Sequence, residues 1–580
     1  MIEIAELNVA SPARFAALLD GIFERSPWVA EIAAAARPFH SREDLHAALC
    51  AVVNSATPVE QLALIRAHPE LAGRAAIRAE LTAESAHEQH GAGLDACTAQ
   101  EYARLQELNT AYNTRFGFPF ILAVRGHDLA SIIAAFSQRL GNDARTERAE
   151  ALAQIGRIAA FRLAERIHVE PGPQIMAMHE RLAAFSENPA NLTCSYLRPA
   201  HRLTAAAIRD WMLGSGLDTH VDAVGNVVGR WRSGTAGAKT LVTGSHYDTV
   251  IDAGRYDGRL GILLPIACVA ELRQRGVALP FDLEIVAFAD EEGVRFKSTL
   301  LGSSALAGSF DTRVLDNIDG DGVTMRSAMR DAGLDPAAIG SIARDPSTLV
   351  AYVEVHIEQG PVLLDAGKPL GVVTSIAGGV RMRVVVEGLA GHAGTVPMEL
   401  RRDAAAAAAE MVLAIERSCR GQPGLLGTVG RFDVPNGAIN VIPGRCEFSI
   451  DIRAPDDSVR DAAVAGVLAQ IEHIATRRKV RADVRRVLEA ACAPCATDLQ
   501  AQWAAAIARV TGESAPLHLP SGAGHDAMKM ASITPIGMLF VRCGNGGISH
   551  HPDETMSADD AEIAARAFID FLMHFEPVTS

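Results

Sequence analysis

The sequence predicts a multidomain protein, with an all-α N-terminal domain followed by an α/β domain. Up to residue 167, apolar side chains recur at helical spacing, whereas beyond residue 176 short apolar runs alternate with helical stretches. The 580 residues suffice for roughly three to five domains of ordinary size.

Composition excludes several classes of protein. An apolar content of 49% is normal for globular proteins, and a net charge of −15 argues against a nucleic-acid binder, which needs clustered Lys and Arg. We find no apolar run of ~18 residues that would predict a membrane span and no basic leader typical of secretion. Nine scattered cysteines indicate reduced thiols, so we expect a cytoplasmic protein that binds neither nucleic acid nor membrane.

The first predicted domain covers residues 1–167. One apolar helix face is marked by Leu62, Ile65 and Leu71. A long helix that ends the domain is predicted over residues 143–167. Pro171, Gly172 and Pro173 then disfavour helix continuation, so residues 168–175 are predicted to be a linker.

The remainder of the chain alternates between strand and helix patterns, which predicts a layered α/β architecture. The predicted buried strands cover residues 240–243, 283–289, 349–355, 382–386, 447–452 and 536–541. The predicted helices cover residues 260–275, 403–419, 458–476 and 561–575.

Imidazoles and carboxylates follow several of these strands and suggest a metal site. They are His246 with Asp248, Asp257, the acidic run 290–292, His356 and the pair His550 and His551. Asp248, two positions after His246, could hold the second ring nitrogen of that histidine. Singly, a histidine at a strand end is more often structural, and an acidic run is more often a solvated loop. Together they favour a centre for Zn or Mn, because ligands gather beyond the carboxyl ends of strands in open α/β sheets.

Nine motifs give residues 176–576 a specific resemblance. They are GSHYDTV, GRYDGRLG, ADEEGVRF, LGSSALAG, HIEQGPVL, LGVVTSIAG, GHAGTVPM, SGAGHDA and ISHHPDE. In this order they resemble the M20-type amidohydrolases that cleave carbamoyl or ureido groups. The resemblance implies an α/β metallohydrolase domain formed by residues 176–376 and 493–580, with an inserted α+β lid/dimerisation domain at 377–492. It also implies a homodimer formed through that lid.

The same resemblance implies a role for individual residues. The ligands of two divalent ions (Zn or Mn) would be His246, Asp257, Glu292, His356 and His550, with Asp257 bridging the ions. Glu291 would be the general base, and the Asp290–Glu291 peptide would be cis. His392 would reach into a partner subunit's site to stabilise an oxyanion, and the substrate contacts would be Gln359, Asn440 and Arg453.

A second dense patch lies in the N-terminal region. His68 and Glu88 are a plausible proton-handling pair, although a capping box explains Ser85 and Glu88 equally well. The strings QLALIRAHPELA, LTAESAHEQHGAGLD and LNTAYNTRFGFPFILAVRG resemble OHCU (2-oxo-4-hydroxy-4-carboxy-5-ureidoimidazoline) decarboxylase, an all-helical enzyme without a cofactor. This resemblance implies that His68 and Glu88 are catalytic, and that substrate is bound by Pro69, Ser85, Gln89, Phe118, Phe120, Ile121 and Arg162.

The two resemblances together imply a bifunctional enzyme of urate breakdown. Its N-terminal half would be a carboxy-lyase producing (S)-allantoin from OHCU, and its C-terminal half an amidohydrolase releasing ammonia and CO2 from allantoate. One alternative stays open: the C-terminal half acts as an N-carbamoyl-L-amino acid hydrolase or beta-ureidopropionase.

Overall fold

The computed structural model describes residues 1–71 and 97–578. Within these, the N-terminal region is helical, as predicted. Its α-helices are Ile4–Val9, Pro12–Leu18, Trp28–Ala33, Arg42–Ser55, Pro58–Ala67, Ala99–Phe116, Leu129–Arg139 and Ala144–Arg166. Several begin at a side chain that accepts the free backbone N–H groups of the first turn, and Thr57 with Glu60 and Thr98 with Glu101 form reciprocal capping boxes.

The helices of this region pack around one apolar core that includes Phe15, Leu49, Ile65 and Phe136. A two-stranded parallel pairing of Ile2–Glu3 with Ile167–His168 joins the start of the region to its end. No single described helix is long and apolar enough to cross a membrane. One pair, Arg42–Ser55 with Pro58–Ala67, passes that test jointly but is bent by 120°.

The predicted linker at 168–175 is mostly regular structure. The long helix ends at Arg166, as the prolines suggested, but a new helix, Pro171–Ala183, starts within the predicted linker. Pro171 stands in its first turn, where a missing N–H costs nothing, so the proline that stops one helix begins the next.

The main sheet has nine strands, and its four central strands are parallel. In spatial order the sheet runs Ala493–Pro494, Leu370–Ile376, Ile536–Val541, Leu349–Ile357, Thr240–His246, Asp282–Phe288, Val227–Trp231 and Asp218–Val221, with Leu517–Ser521 also paired to Leu370–Ile376. The parallel four, from Ile536–Val541 to Asp282–Phe288, are almost wholly buried, which is typical of strands covered on both faces. Their carboxyl ends therefore lie along one edge of the sheet.

Helices and short turns surround this sheet. The longer helices are Pro171–Ala183, Pro199–Gly214, Leu260–Gln274, Thr497–Thr511 and Ala558–Met573, and the shorter ones are Leu301–Leu306, Met325–Asp331, Val362–Asp365 and Ala527–Met530. The 3-10 turns of the described chain are Ala34–Ala36, Thr312–Asp316, Pro336–Ile342, Pro346–Thr348, Met398–Leu400 and Asn545–Gly547.

A second, antiparallel sheet is formed between residues 378 and 490. Its strands are Leu426–Thr428, Arg445–Ala454, Gly378–Glu387 and Arg481–Ala490 in spatial order, with Phe432–Asp433 paired to Arg445–Ala454. Alternate residues are buried along the two central strands, because helices Ala404–Cys419 and Asp457–Arg478 cover only one face. A separate ribbon pairs Gly391–His392 with Val441–Ile442.

Candidate active sites

The five predicted metal ligands converge at the carboxyl edge of the parallel strands. His246 ends Thr240–His246, and His356 is the penultimate residue of Leu349–Ile357. Glu292 follows Asp282–Phe288, Asp257 precedes helix Leu260–Gln274, and His550 follows Ile536–Val541. The parallel arrangement explains how residues so distant in sequence come together.

The donor atoms form two triads that share Asp257. His246, Asp257 and His356 make one, and Asp257, Glu292 and His550 make the other. One carboxylate oxygen of Asp257 lies 3.2 Å from His356 Nε2 and 3.9 Å from His246 Nε2, whereas the other lies 3.0 Å from His550 Nε2. The His550 and Glu292 side chains are 3.3 Å apart. Asp257 thus presents one oxygen to each group of ligands.

Electrostatics at this centre suit divalent cations. Hydrogen bonds to Asp257 and Glu292 raise the pKa of His550 to about 10. Both carboxylate oxygens of Asp290 and of Asp526 are buried without a hydrogen-bond partner among the described residues. The cluster therefore buries more negative charge than its own side chains neutralise, and Zn²⁺ or Mn²⁺ would balance that charge. Imidazole and carboxylate are also ligands that these ions accept, so the residues fit the metals that the resemblance implies.

Two acidic side chains hold the ligand loops in place, and sequence reasoning assigned neither this role. The Asp248 carboxylate accepts the backbone N–H groups of Glu291 (3.0 Å) and Glu292 (3.1 Å). Glu554 accepts the N–H groups of Tyr256 (2.8 Å) and Asp257 (3.2 Å) and the hydroxyl of Ser549, and thereby joins two ligand loops.

The sequence suggested a different task for Asp248, namely holding the second ring nitrogen of His246. The structure corrects this: His246 Nδ1 lies nearer to the Asp248 backbone carbonyl, at 3.1 Å, than to its carboxylate, at 3.6 Å. The carboxylate is drawn instead to the two backbone N–H groups of the acidic loop.

Glu291 is directed into the same cluster. Its carboxylate forms a third potential donor group with His246 and Glu292. Burial raises the pKa of the Glu291 carboxyl well above its usual range, and the neighbouring Glu292 carboxylate adds to this shift. The expected cis peptide at Asp290–Glu291 is wrong for this structure: the sole cis peptide of the described chain is Arg37–Pro38, and the turn is made instead by a left-handed Asp290 with φ 57°.

The predicted substrate contacts are distributed over both sheets. Gln359 lies in the metal cluster, where its Nε2 donates to Asp257 at 2.9 Å. Arg453 lies on the antiparallel sheet and donates to the Gly522 carbonyl at 2.7 Å, which connects the two sheets. His392 lies on the separate ribbon and Asn440 directly precedes the second strand of that ribbon, where the residue after His392 donates its N–H to the Asn440 carbonyl. Within the described residues neither of these two side chains contacts the metal-ligand cluster.

In the N-terminal region, His68 is buried at the end of helix Pro58–Ala67, followed by Pro69. Its Nδ1 lies 3.0 Å from the Leu64 carbonyl, to which it donates, and its Nε2 is buried without a partner among the described residues. Burial lowers the pKa of His68 to about 4, so the ring is neutral near pH 7 with a bare Nε2.

Arg162 is buried beside His68 and is held by the turn between helices Pro12–Leu18 and Trp28–Ala33. Its Nη1 donates to the Gly21 carbonyl at 2.8 Å and to the Glu24 carboxylate at 3.2 Å. The charges of Glu24 and Arg162 both act on the His68 ring, so these three groups share one location. Glu24 is a further residue whose role the sequence did not reveal.

Phe118, Phe120 and Ile121 form a buried, irregular stretch rather than a helix. Arg139 fixes this stretch by donating to the Ile121 carbonyl at 2.7 Å, and is itself paired with buried Glu147 at 2.6 Å. Ser85, Glu88 and Gln89, the other predicted residues of this site, lie outside the described residues.

Parallel strands whose carboxyl ends carry two imidazole–carboxylate triads define a class of metal-dependent hydrolases, here joined to a helical region with its own buried histidine. The profile of the peptidase family M20/M25/M40 matches residues 217–574, and that of OHCU decarboxylase matches residues 8–164. The chain belongs to the M20/M25/M40 family and carries an OHCU decarboxylase region before it, which confirms both resemblances.

Named relatives agree with this assignment. The chain is 40% identical over 428 residues to an allantoate deiminase of Arabidopsis thaliana, and the matched region covers 69% of this chain and 81% of the relative. It is 41% identical over 358 residues to an N-carbamoyl-L-amino acid amidohydrolase of Geobacillus stearothermophilus, covering 62% and 87%. A crystal structure of a hydantoinase/carbamoylase family amidase from Burkholderia multivorans superposes with a TM-score of 0.65 at 30% identity, covering 70% of this chain and 98% of that one.

Proposed function

We propose that this chain is a bifunctional enzyme of urate breakdown, which converts OHCU to (S)-allantoin in its N-terminal half and hydrolyses allantoate in its C-terminal half. The main observation that supports the hydrolase activity is the pair of donor triads that share Asp257. The main observation that supports the decarboxylase activity is a neutral, buried His68 beside the buried Arg162.

In the hydrolase, His246, Asp257 and His356 would hold one divalent ion, Zn or Mn, and Asp257, Glu292 and His550 a second. Such ions, when bound, lower the pKa of water and polarise the scissile carbonyl. Glu291, whose carboxylate lies beside His246 and Glu292, would accept a proton from the attacking water and pass it to the departing nitrogen. Asp248 and Glu554 keep the ligand loops at the required separation.

Substrate recognition would use the other predicted residues. Gln359 already lies beside Asp257 and is placed to contact the ureido group. Arg453 offers a planar, two-pronged donor for the substrate carboxylate once the antiparallel domain, proposed here as a lid at 377–492, closes. In this structure Arg453 is paired with Asp451 at 3.1 Å, a contact that substrate would replace.

The proposed homodimer explains the isolation of His392. Its ring is exposed and contacts only the nearby Gly394 N–H among the described residues. Exposed apolar side chains surround its ribbon, including Leu389 (62% exposed), Met398 (71%) and Ile439 (105%). Covering such a patch is favourable, and a second copy docked there would take His392 and Asn440 to a neighbouring site.

We prefer allantoate as the substrate because the chain is similar to an allantoate deiminase and carries an OHCU decarboxylase region. Both reactions would then belong to one breakdown route. The 41% identity to an N-carbamoyl-L-amino acid amidohydrolase supports the alternative. Ammonia release by the metal-loaded full chain distinguishes them: we expect a clear preference for allantoate over N-carbamoyl amino acids. Equal or reversed preference would remove allantoate as the substrate, and Glu291→Gln serves as the inactive, metal-retaining control.

For the decarboxylase, Arg162 would hold a carboxylate of OHCU until CO2 leaves and its electron pair remains on the ring. His68 Nε2, which has no partner among the described residues, would accept the proton of the substrate's 4-hydroxyl and return it to the adjacent ring carbon from one face. A proton from solvent would neutralise the negative charge that the departing CO2 leaves on the ring, giving (S)-allantoin. The buried wall formed by Phe118, Phe120 and Ile121 would exclude water from that face.

The corresponding test follows freshly made OHCU in the presence of the full chain. We expect His68→Ala to leave OHCU decaying at its spontaneous rate, with a racemic product. Decay as fast as with the unmodified chain would exclude His68 from the mechanism.

A further inference from the structure

A cavity of about 140 Å³ lies where the two halves of the chain meet, away from both candidate active sites. Five helices line it: Arg42–Ser55 and Ala144–Arg166 from the decarboxylase region, and Pro171–Ala183, Pro199–Gly214 and Leu260–Gln274 from the hydrolase side. A protein with only one of the two regions lacks half of these walls, so the cavity is a product of the fusion.

The halves are held together firmly beside this cavity. Arg157 of one half forms a two-pronged ion pair with Asp210 of the other, with N–O distances of 2.9 and 2.6 Å. The Gln174 side chain bonds to both the Arg42 backbone N–H and the Glu43 carboxylate across the same boundary. The cavity is therefore a built feature of a fixed interface rather than a loose gap.

The polar end of the cavity combines a cation that forms no ion pair within the described residues with a hydrogen-bond acceptor. The Arg42 guanidinium donates only to the Ile167 carbonyl at 3.3 Å, and no carboxylate pairs with it within the described residues. Burial lowers the pKa of Arg42, and the nearby charges of Glu43 and Glu271 oppose this shift without forming an ion pair with the guanidinium. The neighbouring Glu43 carboxylate already accepts from the Gln174 side chain, and retains further acceptor capacity.

The opposite wall is apolar and small. It is formed by Ala160, Phe161, Met178, Ala207, Ile266 and Ala267. A dry cavity of similar volume accommodates a ligand of about six heavy atoms. The lining therefore fits a ligand with one carboxylate, one adjacent hydroxyl donor and a short carbon skeleton.

We propose that this interdomain cavity is a binding site for a short 2-hydroxycarboxylate, whose carboxylate is held by Arg42 and whose hydroxyl donates to Glu43. Because its walls come from both halves, such a ligand stabilises their contact and raises the thermal stability of the whole chain, increasingly so as its concentration exceeds its Kd.

The full chain can be tested with lactate as the probe, because Trp211 lines the cavity and is one of only four tryptophans. We expect lactate to change the intrinsic fluorescence saturably and Trp211→Phe to abolish that change. Arg42→Met should weaken lactate binding about tenfold or more, the worth of one charge-assisted hydrogen bond, with Arg42→Lys intermediate. The matched control Arg313→Met, at an exposed arginine, should bind lactate normally.

Two comparison ligands test the chemical class. Acetate lacks the hydroxyl and should bind more weakly than lactate, and glycerol lacks the charge and should not bind. Lactate binding that is unaffected by Arg42→Met, or the absence of any saturable change in the unmodified chain, would overturn the proposal. Neither active site contains Arg42, so both activities measured without lactate report whether the variant is correctly folded.

Discussion

At the scale of single residues, the side chains that orient the site are as informative as those expected to react. The five residues that the motifs predict as metal ligands converge in the structure, and their role as ligands stays a prediction. Asp248, Glu554 and Glu24 could not be assigned, because their partners are backbone N–H groups or a helix distant in sequence. A motif reveals which side chain is present but not where a loop turns its backbone.

Asp248→Asn tests the first of these positioning roles. An amide has one acceptor oxygen where the carboxylate has two, so one of the bonds to Glu291 and Glu292 is lost. We expect metal affinity to fall roughly 10–100-fold, the usual effect of losing such a supporting contact. Competition with a chelator measures this, and Asp331→Asn, at an exposed position, should leave affinity unchanged. Unaltered affinity in Asp248→Asn would show that the clamp is dispensable.

Glu24→Gln tests whether Glu24 positions Arg162 for the substrate of the decarboxylase. Removing the charge leaves Arg162 buried with weaker support, so we expect a higher KM for OHCU while ammonia release from allantoate is unaffected. Glu24→Asp should restore part of the affinity. If KM for OHCU stays the same in Glu24→Gln, Glu24 does not position Arg162 for the substrate.

At the scale of secondary structure, all ten elements predicted after residue 176 coincide with observed ones and several are too short, whereas others such as Pro199–Gly214 and Leu370–Ile376 were not predicted. The strand predicted at 240–243 extends to His246 because Gly244, Ser245 and His246 continue the sheet without an apolar pattern. The strand Ile536–Val541 was predicted with its observed bounds, since all six residues are apolar or glycine and buried. Helix Pro171–Ala183 was missed because its prolines were taken as breakers only.

The irregular stretch at residues 118–121 is held in its conformation by Arg139, the last residue of helix Leu129–Arg139. Arg139→Met removes the bond to the Ile121 carbonyl and leaves Glu147 buried without its cation. We expect the variant to lose roughly 3–5 kcal/mol of stability and to decarboxylate OHCU more slowly. Urea denaturation gives the first quantity.

The double variant Arg139→Met with Glu147→Leu is the matched control, because it buries neither charge alone. It should recover most of the stability but not the decarboxylation rate. A single variant as stable as the unmodified chain would show that the pair contributes nothing to holding the stretch.

At the scale of the whole molecule, buried neutral histidines make stability dependent on pH. Burial lowers the pKa of both His179 and His201 to about 3, and neither ring is exposed. The unfolded chain binds protons at these positions below pH 6.5 while the folded chain does not, so stability is complete above pH 6.5 and falls as the pH drops toward 3. Each histidine should cost about 2 kcal/mol at pH 5.

His201→Phe tests this dependence, because the Nε2 of His201 has no partner to lose among the described residues. Urea denaturation at pH 8 and pH 5 should show a smaller loss for this variant than for the unmodified chain. His220→Phe, at an exposed position, should retain the full loss. Identical losses in all three proteins would exclude His201 as a source of the pH dependence.

The order of the domains was predictable because each half carries dense motifs of its own, and both families are confirmed. The exact boundaries, the dimer and the identity of the metal stay predictions. The cavity between the halves was not predictable, since it depends on how five helices pack and no sequence pattern specifies that packing.

The central claim is that two independent active sites operate in one chain. The most direct measurement assays the full-length, metal-loaded protein and its variants His68→Ala and Glu291→Gln for both OHCU decarboxylation and ammonia release from allantoate. The unmodified chain should perform both reactions, His68→Ala should lose only the first, and Glu291→Gln should lose only the second. An unmodified chain without one of the activities, or a single variant that abolishes both while remaining folded, would contradict the account.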